Sequence, residues 1–163
     1  TAFAKEGRAL RELRFYGEDF QPLPIEDLSE AKIRMLWTKT RERGFVNSLV
    51  MCDFVPWTPE EWREALYAAT GWRLSPEEML EVGERTLQLT RLFNLREGIS
   101  PEEDRLPERF FQPFRKGNPE ARLDPEAFRE GVRAYRRLAG WERGVDPERR
   151  RALGLEEFQN ALA

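Results

Sequence analysis

The sequence predicts an all-α fold, an irregular multi-helix domain of about six to seven helices with loop insertions and little or no sheet. Helix-start motifs recur along the chain, and apolar residues follow a helical period rather than a strand period. Strand signals are weak, because only the stretch from Phe45 to Phe54 is rich in β-branched and aromatic side chains. That stretch lies between two predicted helices, and its composition is compatible with either an extended or a helical conformation.

The predicted helix starts share one sequence pattern, in which a capping side chain is followed by proline and then by an acidic residue. The capping oxygen accepts hydrogen bonds from free backbone N–H groups, proline occupies a position that needs no donor, and the acidic residue suits the helix dipole. The motifs are Thr58-Pro59-Glu60, Ser75-Pro76-Glu77, Ser100-Pro101-Glu102, Asp124-Pro125-Glu126 and Asp146-Pro147-Glu148. We expect helices near residues 3–15, 29–43, 59–69, 76–94, 101–111, 125–139 and 147–161, with the last one broken near Gly154.

The helix at 76–94 has the clearest amphipathic pattern. Its apolar half contains Met79, Leu80, Val82, Leu87, Leu89 and Phe93, and its polar half contains Glu77, Glu78, Glu81, Glu84, Arg85, Gln88 and Arg91. This pattern is typical of a surface helix that lies on a core. A similar stripe of Phe128, Val132 and Tyr135 follows on the helix at 125–139. We expect core or helix-packing positions, rather than a binding groove, for Trp37, Trp57, Trp62, Trp72 and Trp141.

Two proline-containing stretches without a helical period, 18–27 and 112–124, are expected to be loops or linkers. We treat residues 1–163 as a single helical domain, in which 1–28 form a helix followed by a proline-containing loop.

The charge and composition exclude several classes of protein. The net charge of -3 does not favour a nucleic-acid partner, and the Arg149–Arg151 run is short enough to be a solvated helix face. No apolar stretch is long enough to span a membrane, and a lone cysteine suits a reducing, cytoplasmic location. The strong preference for arginine over lysine, together with proline-capped helices, hints at a thermophile or a GC-rich genome.

The sequence lacks the residues of several common catalytic and metal-binding sites. The chain has no histidine, which excludes Ser-His-Asp and Cys-His pairs and any imidazole ligand. Its only cysteine, Cys52, cannot form a tetrahedral zinc site or hold an iron–sulfur cluster by itself. Two interpretations of Cys52 therefore stay open: a small buried core residue, or one ligand of a metal site whose other ligands lie outside this chain.

Several phrases, in their order and spacing, resemble the C-terminal helical region of the tungsten-dependent aldehyde:ferredoxin oxidoreductase family. The resemblance covers about residues 30–157. The phrases are A-A-T-G-W (68–72), V-G-E-R-T-L-Q-L-T-R-L-F-N-L-R-E-G (82–98), E-D-R-L-P-E-R-F (103–110), A-G-W (139–141), L-G-L-E (153–156) and the stretch 31–54 that contains N-S-L-V-M-C.

The resemblance implies a role for the N-S-L-V-M-C segment. In the family, a motif of the form Asp-x-x-Gly-x-Cys precedes the A-T-G helix, and its cysteine is the fourth ligand of a [4Fe-4S] cluster beside a tungsten bis-pterin cofactor. By position, Cys52 is the implied cluster ligand, Asn47 replaces the aspartate that contacts the pterin, and Val50 replaces the glycine. Asn47 keeps hydrogen-bonding ability without the negative charge, and Val50 adds a branched side chain where glycine permits a positive φ.

The resemblance also implies a function for the whole region. It implies oxidation of an aldehyde to a carboxylic acid at tungsten, with electrons passing through the cluster to ferredoxin. This chain would help to enclose that site without being catalytic alone, and upstream regions, in the same polypeptide or in a Cys-rich oxidoreductase subunit, would supply the remaining ligands. The alternative is a stand-alone, cofactor-free helical module for binding or assembly. We expect Arg85, Asn94, Arg96 and Glu97 to bridge helix ends around Gly98 and to fix the loop at Asp104, rather than to contact substrate.

Overall fold

The computed structural model describes residues 12–24, 27–52, 55–113 and 122–158. Within these ranges the chain forms helices and connecting turns, with no strand beyond one isolated bridge between Glu142 and Gly144. The α-helices are α1 (Glu30–Ser48), α2 (Pro59–Thr70), α3 (Pro76–Arg96), α4 (Pro125–Ala139) and α5 (Pro147–Ala152). Residues 12–15 are also helical, and 3₁₀ turns span Pro101–Glu103 and Glu108–Phe111. The all-α prediction is confirmed, and none of the described helices is long and apolar enough to cross a membrane.

The predicted capping motifs start the helices as expected. At the start of α2, the Thr58 hydroxyl accepts the Glu61 N–H at 3.3 Å, and the Glu61 carboxylate accepts the Thr58 N–H at 2.6 Å. This reciprocal pair satisfies two backbone donors that the first helical turn leaves free. The side chains that cap α3, α4 and α5 are Ser75, Asp124 and Asp146.

Two of the predicted helices differ from the structure, and a third ends where the sequence predicted a break. The helix predicted at 29–43 continues to Ser48, so the Phe45–Phe54 stretch begins as helix. The single helix predicted at 101–111 is wrong: two 3₁₀ turns flank Pro107, which lacks an N–H and disfavours the helical conformation at Leu106. The last helix ends before Gly154, whose φ of 63° breaks it as predicted. Residues 3–11 and most of the 112–124 loop lie outside the described residues.

Helices α1 and α3 cross with their backbones in direct contact. The crossing lies at two glycines, Gly44 on α1 and Gly83 on α3. A Cβ atom on Gly83 would lie 1.8 Å from the Arg41 carbonyl oxygen, and one on Gly44 would lie 2.6 Å from the Gly83 carbonyl oxygen. Only glycine at both positions permits this separation, because each missing Cβ leaves the space that the other backbone fills.

Beside the crossing, an apolar core gathers residues from the N-terminal segment and from α1, α2 and α3. Its buried members are Tyr16, Phe45, Val46, Trp62, Met79 and Leu80. Of the tryptophans predicted to be core residues, Trp37 and Trp62 are buried, and Trp57 and Trp141 are half-buried. Trp72 is 65% exposed, so the prediction is wrong for that residue, which follows the Gly71 cap at the end of α2.

The orientation of α3 differs from its sequence pattern. Glu84, Gln88 and Arg91 were predicted to face solvent, and all three are buried. Phe93 and Val82, which were predicted to face the core, are 54% and 36% exposed. The glycine crossing explains the difference, because it turns the Gly83–Glu84 side of α3 toward α1 and the segments behind it. The polar side chains on that side are accommodated by hydrogen bonds and ion pairs, which compensate for burial.

We expect Gly83→Ala to lower the free energy of unfolding by about 3–5 kcal/mol, because the added methyl group would meet backbone atoms rather than a movable side chain. Guanidinium denaturation monitored by tryptophan fluorescence measures the change.

Gly131→Ala in α4 is the matched control, since its added Cβ would meet only the movable Ile33 side chain, whose nearest atom, Cδ1, lies at 3.3 Å. Alanine favours a helix interior by roughly 0.5–1 kcal/mol, so this variant should be neutral or slightly stabilised. Equal stability of the two variants would contradict the assigned crossing.

Candidate functional site

The segment predicted to contact cofactor forms a turn at the C-terminus of α1, here called the 47–52 turn. The Leu49 N–H donates to the carbonyl oxygens of Phe45 and Val46 at 3.1 and 3.2 Å, and the Val50 N–H donates to the Asn47 carbonyl oxygen at 3.1 Å. The Leu49 side chain packs against the core, which anchors the turn from within. These bonds close the end of α1 and direct the chain away from the helix axis.

Both residues predicted to contact cofactor are solvent-accessible in this turn. Asn47 and Cys52 are exposed, so the interpretation of Cys52 as a buried core residue is wrong. The core prediction fails because the side chains beyond Val46 face different ways. Leu49 and Met51 pack against the core, whereas Val50 and Cys52 are exposed. The accessible thiol and the amide belong to one turn, where both can reach a group outside this chain.

Val50 adopts a conformation that normally belongs to glycine. Its φ is 55°, and it is the non-glycine residue with a positive φ in the described part of the chain. A β-branched side chain is disfavoured there, because Cβ approaches the neighbouring backbone in the left-handed region. Val50 is also 91% exposed, so burial of its side chain does not compensate for this strain. The backbone thus has the form that a glycine in the Asp-x-x-Gly-x-Cys motif would permit.

The 47–52 turn is fixed against α3 by a hydroxyl pair. The Ser48 and Thr86 hydroxyl oxygens are 3.0 Å apart, and the Ser48 hydroxyl also donates to the Gly44 carbonyl oxygen at 2.9 Å. The turn therefore follows directly from the Gly44–Gly83 crossing and is held beside the middle of α3.

The described residues could supply one ligand of an iron–sulfur cluster but could not hold a cluster alone. Among the described residues, no group of three or more Cys, Asp or Glu side chains is placed to hold a metal ion. A [4Fe-4S] cluster is held by four thiolates, of which Cys52 can supply one. The exposure of that thiol matches a ligand that completes a cluster held mainly by other polypeptide.

A buried polar network lies behind the turn and ties α3 to later segments. Glu84 pairs with Arg149 and lies 3.5 Å from an Arg41 nitrogen. The Gln88 amide donates to the Ala139 carbonyl oxygen at 2.8 Å and accepts the Trp141 indole N–H at 2.5 Å. Each bond links α3 to a distant part of the sequence, so these polar residues fix the segments that contain Arg41, Ala139, Trp141 and Arg149 around α3.

Asp104 is held by two arginines that the sequence did not single out for it. Arg91 and Arg136 donate to its two carboxylate oxygens at 3.2 and 2.8 Å. The prediction that Arg85 or Arg96 fixes Asp104 is wrong: Arg85 donates to the Leu153 carbonyl oxygen at 2.8 Å, and Arg96 pairs with the adjacent Glu97. The Asn94 backbone carbonyl oxygen accepts the Ile99 N–H at 2.9 Å and closes the turn at Gly98, a bond that does not use the amide side chain.

A second buried polar group joins α1 to the N-terminal segment. Lys39 bridges Glu12 and Glu42, and the Glu42 carboxyl is almost completely enclosed. Burial raises the pKa of Glu42, opposed by the adjacent Lys39, and burial with nearby Glu42 raises the pKa of Tyr16. This group lies within the packing of α1 against the N-terminal segment and presents no accessible site.

Comparison with known proteins identifies the family of this chain. The sequence profile described as aldehyde ferredoxin oxidoreductase, domains 2 and 3, matches residues 3–155. The chain belongs to the aldehyde ferredoxin oxidoreductase family. Relatives include the tungsten-containing aldehyde ferredoxin oxidoreductases of Pyrococcus abyssi and Pyrococcus furiosus, each 34% identical over 138 residues, and that of Thermococcus kodakarensis, 33% identical.

The chain represents the C-terminal part of the aldehyde ferredoxin oxidoreductase fold. The matches cover 81% of this chain but only 22% of the length of the curated relatives. Most of the relatives' fold therefore has no counterpart in these 163 residues.

We expect Val50→Gly to stabilise the protein by about 0.5–1 kcal/mol, because relief of left-handed strain exceeds the entropy that an ordered glycine loses. Val55→Gly is the matched control: Val55 is also exposed and has no positive φ, so the same change should destabilise. Chemical denaturation of both variants checks the sign, and destabilisation by Val50→Gly would refute the assigned strain.

Asp104→Asn should lower the free energy of unfolding by about 2–3 kcal/mol, because it leaves the buried Arg91 guanidinium without its carboxylate partner. Arg91 has little else to compensate, since its Nε and one terminal nitrogen already lack hydrogen-bond partners among the described residues.

The control for Asp104→Asn is Glu130→Gln, which removes an exposed pairing with Arg133 and should change stability by less than about 0.5 kcal/mol. Urea denaturation distinguishes the two, and similar small effects would show that Asp104 contributes no more than a surface pair.

Proposed function

We propose that this chain closes one side of a tungstopterin and [4Fe-4S] site of the family type and supplies Cys52 as one cluster ligand. The observation that supports this proposal is the 47–52 turn, in which an accessible thiol follows a residue with glycine-like φ. Val50, which the resemblance assigns to the glycine position of the motif, has a φ of 55°, a conformation that glycine adopts without strain.

Each residue of the turn has a distinct role in this proposal. The Cys52 thiolate would bind iron, and the Asn47 amide would hydrogen-bond the polar edge of the pterin. A neutral amide makes weaker bonds to N–H groups than a carboxylate, so Asn47 would orient the pterin with less electrostatic stabilisation than aspartate gives. The strained backbone at Val50 would hold the turn in the form that directs the thiol outward.

In the family, the bound groups supply two-electron oxidation of an aldehyde and a route for electrons toward ferredoxin. This chain alone provides neither three further thiolates nor a general acid or base at the turn. Its contribution is to position one ligand and to cover the site from the side of α1 and α3. The activity would belong to the complete assembly, whether its parts are one polypeptide or several.

Anaerobic purification of the protein from its own host, with any associated polypeptide, tests this function. We expect about four irons per assembly, and we expect Cys52→Ser to lower the iron content and to weaken the visible absorption of the cluster. Tungsten and molybdenum, measured on the same samples, report whether the pterin site is occupied.

Val50→Gly is the control for this test, because it changes the same turn and leaves the thiol in place. An unchanged iron content in Cys52→Ser would contradict the assignment of Cys52 as a cluster ligand. Absence of iron and tungsten from the unmodified assembly would favour the second candidate, a cofactor-free module for binding or assembly. The exposed side chains of Val82 and Phe93 on α3 favour that candidate, since they offer apolar contacts to a protein partner.

A further inference from the structure

A buried carboxyl group with an unpaired oxygen lies where the N-terminal segment, residues 12–18, packs against α1. The Glu42 side chain is 5% exposed, and its Oε1 atom pairs with the Lys39 ammonium. Its Oε2 atom is buried without a hydrogen-bond partner, and the same is true of the Tyr16 hydroxyl oxygen. Buried polar atoms are almost always hydrogen-bonded in native proteins, so two unpaired oxygens in one interface require a physical explanation.

The spacing of the residues brings these groups together. Glu12 and Tyr16 are four residues apart, which places both side chains on one side of a helical turn. On α1, Lys39 and Glu42 are three residues apart and likewise share one side. The Lys39 Nζ atom also lies 2.9 Å from a Glu12 carboxylate oxygen. One ammonium group is therefore shared by two carboxyl groups, so Glu42 does not have the whole of its positive charge.

Charges from three elements act on the Glu42 and Tyr16 side chains. They belong to Glu12 on the N-terminal segment, Lys39 and Arg43 on α1, and Glu60 on α2. Burial has the largest effect and raises the pKa of Glu42, while Lys39 opposes this rise and Glu12 adds to it. The combined effect shifts the enclosed carboxyl group toward its neutral form.

We propose that Glu42 takes up a proton from solvent when the N-terminal segment docks on α1, so that docking tightens as the pH falls. Protonation at Oε2 removes the cost of enclosing a negative charge, and Oε1 still accepts a hydrogen bond from Lys39. The new O–H group is a donor for the unpaired Tyr16 hydroxyl oxygen. This inference goes beyond the proposed function and does not depend on Cys52 as a cluster ligand.

The docked segment supports the core beneath the candidate site. Tyr16 belongs to the buried core cluster, and Leu49 and Met51 of the 47–52 turn pack against that cluster. Leu13, in the same segment, is completely buried. A proton bound at Glu42 therefore stabilises packing on which the 47–52 turn also rests.

Hydrogen exchange at a series of pH values tests the inference in the full chain. The pKa of Glu42 is raised only while it is buried, so the docked state keeps a proton that the open state loses. Docking should therefore weaken as the pH rises from the ordinary glutamate pKa to the raised one, by up to about tenfold in the opening constant per pH unit. Exchange of the Tyr16 and Gly17 amides, corrected for its intrinsic pH dependence, measures this opening between about pH 4 and about pH 8.

Two matched variants locate the proton. Glu42→Gln keeps the shape of the side chain without a titrating group, so opening of the segment should lose this pH dependence. Glu81→Gln makes the same chemical change at an exposed position on α3 and should retain it. An equal pH dependence in Glu42→Gln and the unmodified chain, or none in the unmodified chain, would overturn the inference.

Carbon-13 NMR of the side-chain carboxyl groups tests the same proton without any substitution, and so decides the matter if Glu42→Gln fails to fold. We expect the Glu42 carboxyl to titrate at a higher pH than the exposed Glu81 carboxyl in the same sample. Equal midpoints for the two groups would reject proton uptake at Glu42.

Discussion

The contact between Gly44 and Gly83 is the constraint on which the described structure depends. Because neither residue has a Cβ, the backbones of α1 and α3 touch, and the space at the crossing admits no side chain. The crossing fixes the rotation of α3, which decides which of its residues are enclosed. It also fixes the end of α1, one turn beyond Gly44, where the 47–52 turn begins. Fold and candidate site therefore share one steric cause.

The rotation of α3 has an electrostatic consequence. Placing Glu84, Gln88 and Arg91 inside the fold would be costly if they were left unpaired. Arg149, Trp141 and Asp104 provide their partners, and all three come from segments that follow α3 in the chain. The same bonds that satisfy the buried groups hold these later segments in place. These buried polar groups thus connect α3 to the segments that follow it in the chain.

The sequence predicted features governed by local rules and missed those governed by distant contacts. Capped helix starts such as Thr58 and Ser75 were predictable, because the cap and its acceptor lie within three residues. The orientation of α3 was not predictable from its periodicity, since two glycines distant in sequence decide it. Gly44 and Gly83 inside helical patterns were the available signal, because an interior glycine usually marks a close approach. At the candidate site, the motif placed Asn47 and Cys52 together, but the exposure of Cys52 depends on where α1 ends.

The left-handed conformation of Val50 depends on contacts made by its neighbours. A left-handed valine costs energy, and neither its side chain nor its own preference accounts for the conformation. The conformation is imposed by its surroundings: Leu49 is anchored in the core, Ser48 is paired with Thr86, and the Val50 N–H is bonded to Asn47. These contacts belong to α1 and α3 and do not require a glycine. These contacts can therefore hold the direction of the turn whichever residue occupies position 50, and in this direction the Cys52 thiol is accessible.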